Sequence, residues 1–379
     1  MRIGVETNLL LKAVKETSKA LPSRSTLPIL QHFLVEVAEG GDLVIKATNL
    51  DFSIVESVPV AEVEGSGSFT LPGKTFLDVL SNITEPFIEL KHEGNTTILE
   101  TPKGNRYEFA GLDPEDFPEI TFPETENSIL FPRELVLEGV DYVGFCASRD
   151  DLRAFLTGIY WHVVDGELRF VASDAHRLGL FGVQGDYPSD FEAIVSPQVF
   201  DFLKNRDEDE VEIKTSHELI EFAFPNARLV ARVIEGPYPE YRNVLPDPPG
   251  NGVLRVNRDE LSGALKRLMV FTEAPSFATL WDLSEEQVLV RASSPDKGEA
   301  DETIFADYEG ERMKIALNAS FLLDIIKKIK SFELEIHFYD PLRAILIRPT
   351  EIEEGRQLLY IMMPIRLAEE EFEETTEEE

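Results

Sequence analysis

Gly67-Ser-Phe-Thr-Leu-Pro-Gly-Lys-Thr-Phe-Leu-Asp-Val-Leu80 has two further versions along this chain. The second is Glu192-Ala-Ile-Val-Ser-Pro-Gln-Val-Phe-Asp-Phe-Leu203, and the third is Met313-Lys-Ile-Ala-Leu-Asn-Ala-Ser-Phe-Leu-Leu-Asp-Ile-Ile326. Each runs from an apolar strand through a polar break into a short apolar helix. A further strand follows each joint: Phe87-Ile-Glu-Leu-Lys91, Val211-Glu-Ile-Lys-Thr215 and Leu334-Glu-Ile-His-Phe338. The period, roughly 120–125 residues, is too long for a solenoid unit and suits a whole domain. A chain that triplicates a domain and inserts no unique catalytic segment is suited to building a shape.

Outward from these joints, the copies occupy residues 1–124, 125–248 and 249–367, and residues 368–379 form an acidic tail. Six segments read as helices: 6–19, 74–83, 132–149, 197–206, 257–271 and 319–332. In the first, Thr7 or Asn8 suits an N-cap, Leu10, Leu11 and Val14 mark one face, and Pro22 ends the run. Alternating apolar residues predict hairpins at Gly40-Gly41 and at Asp165-Gly166, the latter a strong two-residue turn signal. Strands in the third copy are expected at 278–283, 287–293 and 301–308. The joins Phe122-Pro-Glu-Thr-Glu126 and Leu245-Pro-Asp-Pro-Pro-Gly250 read as stiff spacers. The fold class is α+β, with two helices in each copy laid on antiparallel sheets.

The chain of 379 residues is 43% hydrophobic and 28% charged, which suits a folded soluble protein. Its apolar runs fall short of a membrane span, and Met1-Arg-Ile-Gly-Val-Glu6 lacks the order of a signal peptide. Cys146 stands alone in an apolar context, which matches an inert buried thiol and a cytoplasmic location. A net charge of −35 argues against a polyanionic partner until its distribution is read. The six helical segments carry 14 Lys or Arg against 10 Asp or Glu, so the acid lies elsewhere. Such segregation suits one basic surface on a body that otherwise repels polyanions.

Signals for catalysis are weak. Gly73-Lys74-Thr75 resembles the end of a phosphate loop but lacks the glycine that should precede it. His32, His92, His162, His176, His217 and His337 do not pair at ligand spacing, so neither metal nor cofactor is expected. Ser173-Asp174-Ala175-His176-Arg177 supplies a hydroxyl, an acid and a base, the ground for an alternative hydrolase reading through Asp174 and His176. A second alternative is an acidic scaffold that binds only proteins.

Four stretches stand in order: Pro22-Ser-Arg-Ser-Thr-Leu-Pro-Ile-Leu30, Ser173-Asp-Ala-His-Arg-Leu178, Gly236-Pro-Tyr-Pro-Glu-Tyr-Arg-Asn-Val-Leu-Pro246 and Tyr360-Ile-Met-Met-Pro-Ile-Arg-Leu367. With them, residues 1–367 resemble the bacterial DNA polymerase III beta subunits, the replicative sliding clamps. The resemblance implies a processivity factor without catalysis, a head-to-tail homodimer of three-domain crescents closed round duplex DNA. Twelve helices at about 10 Å each would line a hole roughly 38 Å across. Partners by resemblance are sequence-independent duplex DNA, the polymerase III catalytic subunit, a clamp loader, and other replication and repair proteins bound through short linear motifs. No membrane is implied.

By the same resemblance, DNA contacts fall on Arg24 and on the loop with Arg149, Asp150 and Arg153. The family often has an amide and a tyrosine where Asp150 and Ala154 stand, so phosphate contact from this loop is expected to be weaker. Helix charge adds Lys12, Lys15, Lys204, Arg206, Lys266, Lys327 and Lys328. The implied partner groove has one wall of Leu156, Ser173, Ala175, His176, Arg177, Leu178, Pro239, Asn243 and Val244. Its other wall is Leu342, Ala344, Ile361, Met363, Pro364, Ile365, Arg366 and Leu367. For the ring contact, Tyr107 and Phe109 on an edge strand would face Val270 and Phe271 of the partner subunit, with Lys74 opposite Glu299, Asp301 and Glu302. The tail carries eight glutamates and Phe372, extends past the usual family terminus, and reads as disordered, either a solvating extension or a tether from which Phe372 competes with partner peptides.

Overall fold

The computed structural model describes residues 1–38, 41–124, 128–187, 191–285 and 287–366. The readings at Gly40, at Leu367 and over the tail 368–379 lie outside the described residues. Among the described residues six α-helices are formed: α1 (Thr7–Thr17), α2 (Gly73–Leu80), α3 (Arg133–Val143), α4 (Asp201–Lys204), α5 (Arg258–Leu268) and α6 (Ala319–Ile326). All are shorter than their expected segments. α1 begins at Thr7 itself behind an extended Glu6 with no side-chain cap, so neither Thr7 nor Asn8 plays the expected role. It buries Leu10, Ala13, Val14 and Thr17, then tightens into a 3-10 turn at Ser18–Ala20, ahead of Pro22. α5 has a side-chain cap: Asn257 Oδ1 accepts from the Asp259 and Glu260 N–H groups at 2.9 and 3.0 Å. Lys266 and Arg267 close its last turn, where they complement the helix dipole. The segment 197–206 departs furthest, because Pro197–Phe200 is 3-10 and α4 lasts four residues before the chain turns inward.

Two compact units form, one joining Met1–Leu137 with Val195–Ile234, the other Glu138–Ile194 with the chain from Glu235 onward. Each therefore holds one whole copy and part of the middle one. In the first unit a five-stranded sheet ends at the edge strand Arg106–Ala110. Its eight-stranded sheet crosses from copy to copy where Ala227–Arg232 pairs antiparallel with Phe52–Val58, Leu229 opposite Ile54. The nine-stranded sheet of the second unit makes the equivalent crossing, where Arg177–Gln184 pairs with Arg356–Met362 and Leu180 lies opposite Leu359.

A four-stranded sheet in the same unit has Gly298–Ile304 at its edge. The single strand expected at 301–308 is broken at Phe305, since Ala306–Gly310 joins the nine-stranded sheet instead. The Phe305 N–H, freed from either ladder, donates to Glu260 Oε1 at 3.0 Å. Asp165 and Gly166 take φ of +52° and +73° and close their hairpin with Val164 opposite Glu167, as their chemistry predicts.

Alternation along the strands buries Phe33, Phe69, Phe131 and Phe222 in the first unit and Trp161, Phe170, Phe181 and Tyr360 in the second. α3 lies close on the strand Glu167–Ser173 because residue 139 is glycine, where a Cβ would stand 2.6 Å from the Phe170 ring. The crossing in the first unit also encloses a charge pair. Glu56 of the first copy and Arg206 of the second are both buried and joined by two hydrogen bonds. The Arg206 guanidinium lies 4.1 Å over the Phe202 ring. This corrects the expectation that Arg206 presents its charge to DNA: it ties two copies together from inside.

Breaking a buried pair on one side strands the other charge. Arg206→Met should therefore destabilise the protein by about 3 kcal/mol in chemical denaturation, and adding Glu56→Leu should restore most of that loss. Equal stability of the single variant and the parent would contradict this role.

Candidate partner groove and nucleic-acid interface

The strands Glu167–Ser173 and Arg177–Gln184 are joined by a tightly stitched turn. Ser173 Oγ accepts from the Ala175 N–H at 3.1 Å and donates to the Arg177 carbonyl at 2.8 Å. Asp174 Oδ1 accepts from the N–H groups of His176 and Arg177, each at 2.9 Å, and Ala175 takes φ of +73°. The following copy is tied on where the Met363 N–H donates to the His176 carbonyl at 2.8 Å.

The same stitching recurs at the crossing in the first unit. Thr48 Oγ1 accepts from the Leu50 N–H at 3.1 Å and donates to the Phe52 carbonyl at 3.3 Å. Asn49 Oδ1 accepts from the Asp51 and Phe52 N–H groups at 3.0 and 2.9 Å, and Leu50 has φ of +76°. The Arg232 N–H donates to the Asp51 carbonyl at 2.9 Å, as Met363 does to His176. An amide at Asn49 thus does what the carboxylate does at Asp174, which makes the turn a component of the crossing.

This geometry corrects the hydrolase reading. The Asp174 carboxylate is engaged by two turn amides and by Arg177 Nε at 3.1 Å, while the His176 ring lies beside Phe321 with centroids 6.3 Å apart. Gly73 is likewise no phosphate loop: a Cβ there would stand 2.3 Å from Leu21 Cδ1, so glycine permits close packing.

The bonds of the two turns match although their residues differ, and the chemistry diverges most at the fifth position, Phe52 in one and Arg177 in the other. The Arg177 guanidinium sits between the rings of Phe145 and Phe321, at 5.1 and 4.4 Å, and bonds Asp324 Oδ2 and the Phe145 carbonyl, each at 3.1 Å. Expected to line the groove, Arg177 is mostly a strut beneath it. Leu156, Leu178 and Ile361, expected in the groove, are buried in the core. Ser173, Ala344, Pro364 and Ile365 are half-buried, and Ala175, His176, Pro239, Asn243 and Arg366 are exposed. Among the described residues expected in the groove, three large apolar side chains stay uncovered: Val244 at 55%, Leu342 at 60% and Met363 at 46% exposure. Pairing of Ile345 with Met362 brings the segments of Leu342 and Met363 alongside each other.

The segment of Pro239 and Val244 is held by residues that sequence reasoning missed as supports. Tyr238 stacks on Tyr160 at 4.8 Å, and Tyr241 shares a hydrogen bond of 2.9 Å with His162 Nε2. Tyr339 Oη donates to the Asp247 carbonyl at 3.0 Å. Burial lowers His162 to about 4, so its imidazole is neutral there. The aromatic spacing in Gly236–Pro246 was the available signal. Cys146 is buried, and burial pushes its thiol well up, which fits an inert role.

Of the expected DNA contacts in the first unit, Lys12, Lys15, Arg24 and Lys204 are exposed. Lys12 bonds Asp207 at 2.5 Å, which raises its pKa, and Lys204 bonds Asp201 at 2.6 Å. In the second unit Arg149, Lys266 and Lys327 are exposed, whereas Lys328 is half-buried against Asp141 at 2.5 Å. Arg153 meets Asp150 at 3.4 Å and Lys327 meets Asp324 at 3.0 Å. Among the described residues Lys15, Arg24, Arg149 and Lys266 have no ion pair within the chain, so their charge is the most available.

At the expected ring contact, Arg106–Ala110 and Gly298–Ile304 are edge strands, as strand addition requires. Lys74, Tyr107 and Glu299 are exposed, Val270 is 63% exposed, and Phe271 is partly covered. Two expectations are corrected. Phe109 is a core residue, edge-on to Phe76 at 5.3 Å, and Glu302 is held by Arg267 of its own chain through bonds of 2.6 and 2.9 Å. Asp301 lies 3.5 Å from Arg291.

Three domain families match in order: DNA polymerase III beta subunit N-terminal domain over residues 1–121, central domain over 131–240 and C-terminal domain over 242–366. The chain is 26% identical to the beta sliding clamp of Escherichia coli K12 over 372 residues, covering 97% of this chain and 100% of the relative. It is 27% identical to that of Caulobacter vibrioides over 382 residues, with the same coverage. The crystal structure of the DNA polymerase III beta subunit from Thermotoga maritima superposes with a TM-score of 0.89 at 30% identity, over 97% of this chain and 100% of that one. The beta subunit from Pseudomonas aeruginosa, at 24% identity, shares the fold with a TM-score of 0.91 over the same fractions.

An amide at 174 keeps the turn bonds, as Asn49 does, but gives up the charge that faces Arg177 Nε, so Asp174→Asn should cost about 1 kcal/mol. Asp174→Ala, which leaves turn amides unpaired, should cost about 2 kcal/mol. Urea denaturation of both variants measures the difference, and equal losses would contradict the reading of the turn.

Proposed function

Because this chain belongs to the DNA polymerase III beta-subunit family of sliding clamps, we propose that two copies close head to tail round duplex DNA and hold the replicative polymerase on it. The role is processivity, without catalysis. The single observation that carries the reading is the match of all three clamp domains, in order, along nearly the whole chain. Encirclement lets dissociation be slow while affinity stays weak, and contact with phosphates alone carries no sequence information, so the ring slides.

The exposed cations Lys15, Arg24, Arg149 and Lys266 are the main proposed phosphate contacts. Lys12, Arg153, Lys204, Lys327 and Lys328 add weaker ones because intrachain carboxylates already neutralise them. Ring closure adds the edge strand Arg106–Ala110 of one subunit to Gly298–Ile304 of the next, with Val270, Phe271, Glu299 and Asp301 beside it. Lys74 is the proposed cation opposite those acids. The domain bounds proposed are 1–124, 125–248 and 249–367.

The groove with Val244, Leu342 and Met363 uncovered is proposed to take short linear peptides ending in bulky apolar residues. Methionine and aliphatic side chains repack readily, which suits several partners at one site. Those partners are the polymerase III catalytic subunit, an ATP-driven clamp loader, and other replication and repair proteins. The proposed location is the cytoplasm, where the DNA lies. Among the described residues no helix is long and apolar enough to cross a membrane.

Primer extension on a singly primed circular template, with loader and polymerase supplied, tests the reading: the parent protein should lengthen products. Met363→Ala with Pro364→Ala should remove that effect and weaken calorimetric binding of a peptide ending Leu-Phe by about tenfold or more. Unchanged product length with the parent protein would refute the processivity role; unchanged peptide affinity in the variant would refute the groove.

A further inference from the structure

The segments that line the proposed groove carry exposed guanidinium groups on a chain whose net charge is −35. Arg242 stands beside Asn243 and Val244, Arg343 lies between Leu342 and Ala344, and Arg366 follows Ile365; all three are exposed. Their acidic neighbours hold them loosely: Arg242 is 3.6 Å from Glu240 and Arg343 is 3.9 Å from Asp340. Solvent-exposed pairs at such distances contribute little, so these cations remain open to another anion. Next to them Val244, Leu342 and Met363 leave apolar surface uncovered. The site therefore asks for a bulky apolar side chain flanked by carboxylates.

The chain carries such a segment itself. The C-terminal domain family ends its match at residue 366, inside the groove, and the sequence continues Leu367-Ala-Glu-Glu-Glu-Phe-Glu-Glu-Thr-Thr-Glu-Glu-Glu379. Residues 368–379 hold eight glutamates and one large apolar residue, Phe372. We propose that residues 368–379 compete with partner peptides for the groove, Phe372 supplying the anchor and the glutamates meeting Arg242, Arg343 and Arg366. The proposal rests on the groove reading given above.

Reach permits it, since six residues separate Phe372 from Arg366 and extended chain spans at most about 20 Å over that length. A tether this short gives an effective concentration on the order of millimolar, enough for a weak contact to be substantially occupied. The consequence is a partner affinity lowered in proportion to the occupied fraction. Because the contact is largely electrostatic at its rim, it weakens with salt, so partner access would be tuned by ionic strength.

The test is fluorescence anisotropy with an uncharged hexapeptide ending Leu-Phe, labelled with a net-neutral rhodamine dye and titrated with three proteins: the full chain, a variant ending at Leu367, and Phe372→Ala. At low salt the shortened protein should bind roughly three- to tenfold more tightly than the full chain, and Phe372→Ala should recover a clear part of that gain. Near 0.5 M salt, where the screening length is only a few ångströms, the difference should shrink toward none. Equal affinities of all three proteins at low salt would overturn the proposal and leave the groove standing. A gain on shortening that Phe372→Ala does not share would mean diffuse charge alone, and would also overturn it. Failure of the probe to bind any of the three would remove the groove reading and the proposal with it.

Discussion

Where Ala227–Arg232 pairs with Phe52–Val58, and Arg177–Gln184 with Arg356–Met362, backbone hydrogen bonds run from one copy of the domain into the next. Unpaired strand edges are costly to bury and hazardous to expose, so each copy needs a neighbour's strand to finish its sheet. Ladders of that kind fix the register residue by residue, because a slip of one would turn Leu229 and Ile54 from core to solvent. The stitched turns, the buried Glu56–Arg206 pair and the strut at Arg177 all reinforce these two crossings. Strands Arg106–Ala110 and Gly298–Ile304 still end their sheets, which leaves the same kind of bond available to a second subunit. Ring closure then needs no new chemistry, only one more use of the pairing that already joins the copies.

The proposed partner groove is a by-product of a crossing. Its turn is fixed by bonds that the other crossing also makes, so the turn alone cannot confer binding. What differs is the surroundings: Arg177 held between two aromatic rings, a lip held by Tyr238 and Tyr241, and three apolar side chains left uncovered. A site assembled this way is rigid beneath and adaptable above, a suitable combination for several partners sharing one surface.

Much of this was legible in the sequence. Strand alternation and the Asp165-Gly166 turn read correctly because both depend on neighbouring residues. Helix ends read less well: α4 stops just ahead of Arg206, which pairs with Glu56, a partner 150 residues away that no local pattern announces. Phe109 and Tyr107 share a strand face, yet only Phe109 meets Phe76, which burial alone reveals. The charge count over helices overstated the free positive surface, since Lys12, Lys204, Lys327 and Lys328 each meet a carboxylate of the same chain. Counting charges by segment cannot see such pairing.

Retention on DNA by topology is the central claim, and it has one direct measurement. The protein is loaded on nicked circular plasmid, freed of unbound material by gel filtration, and followed after a restriction enzyme cuts the circle once. Loss of the protein within minutes of linearisation, with retention on the uncut circle, is the predicted result. Equal retention on both forms would mean that the chain holds DNA by contact and not by enclosure.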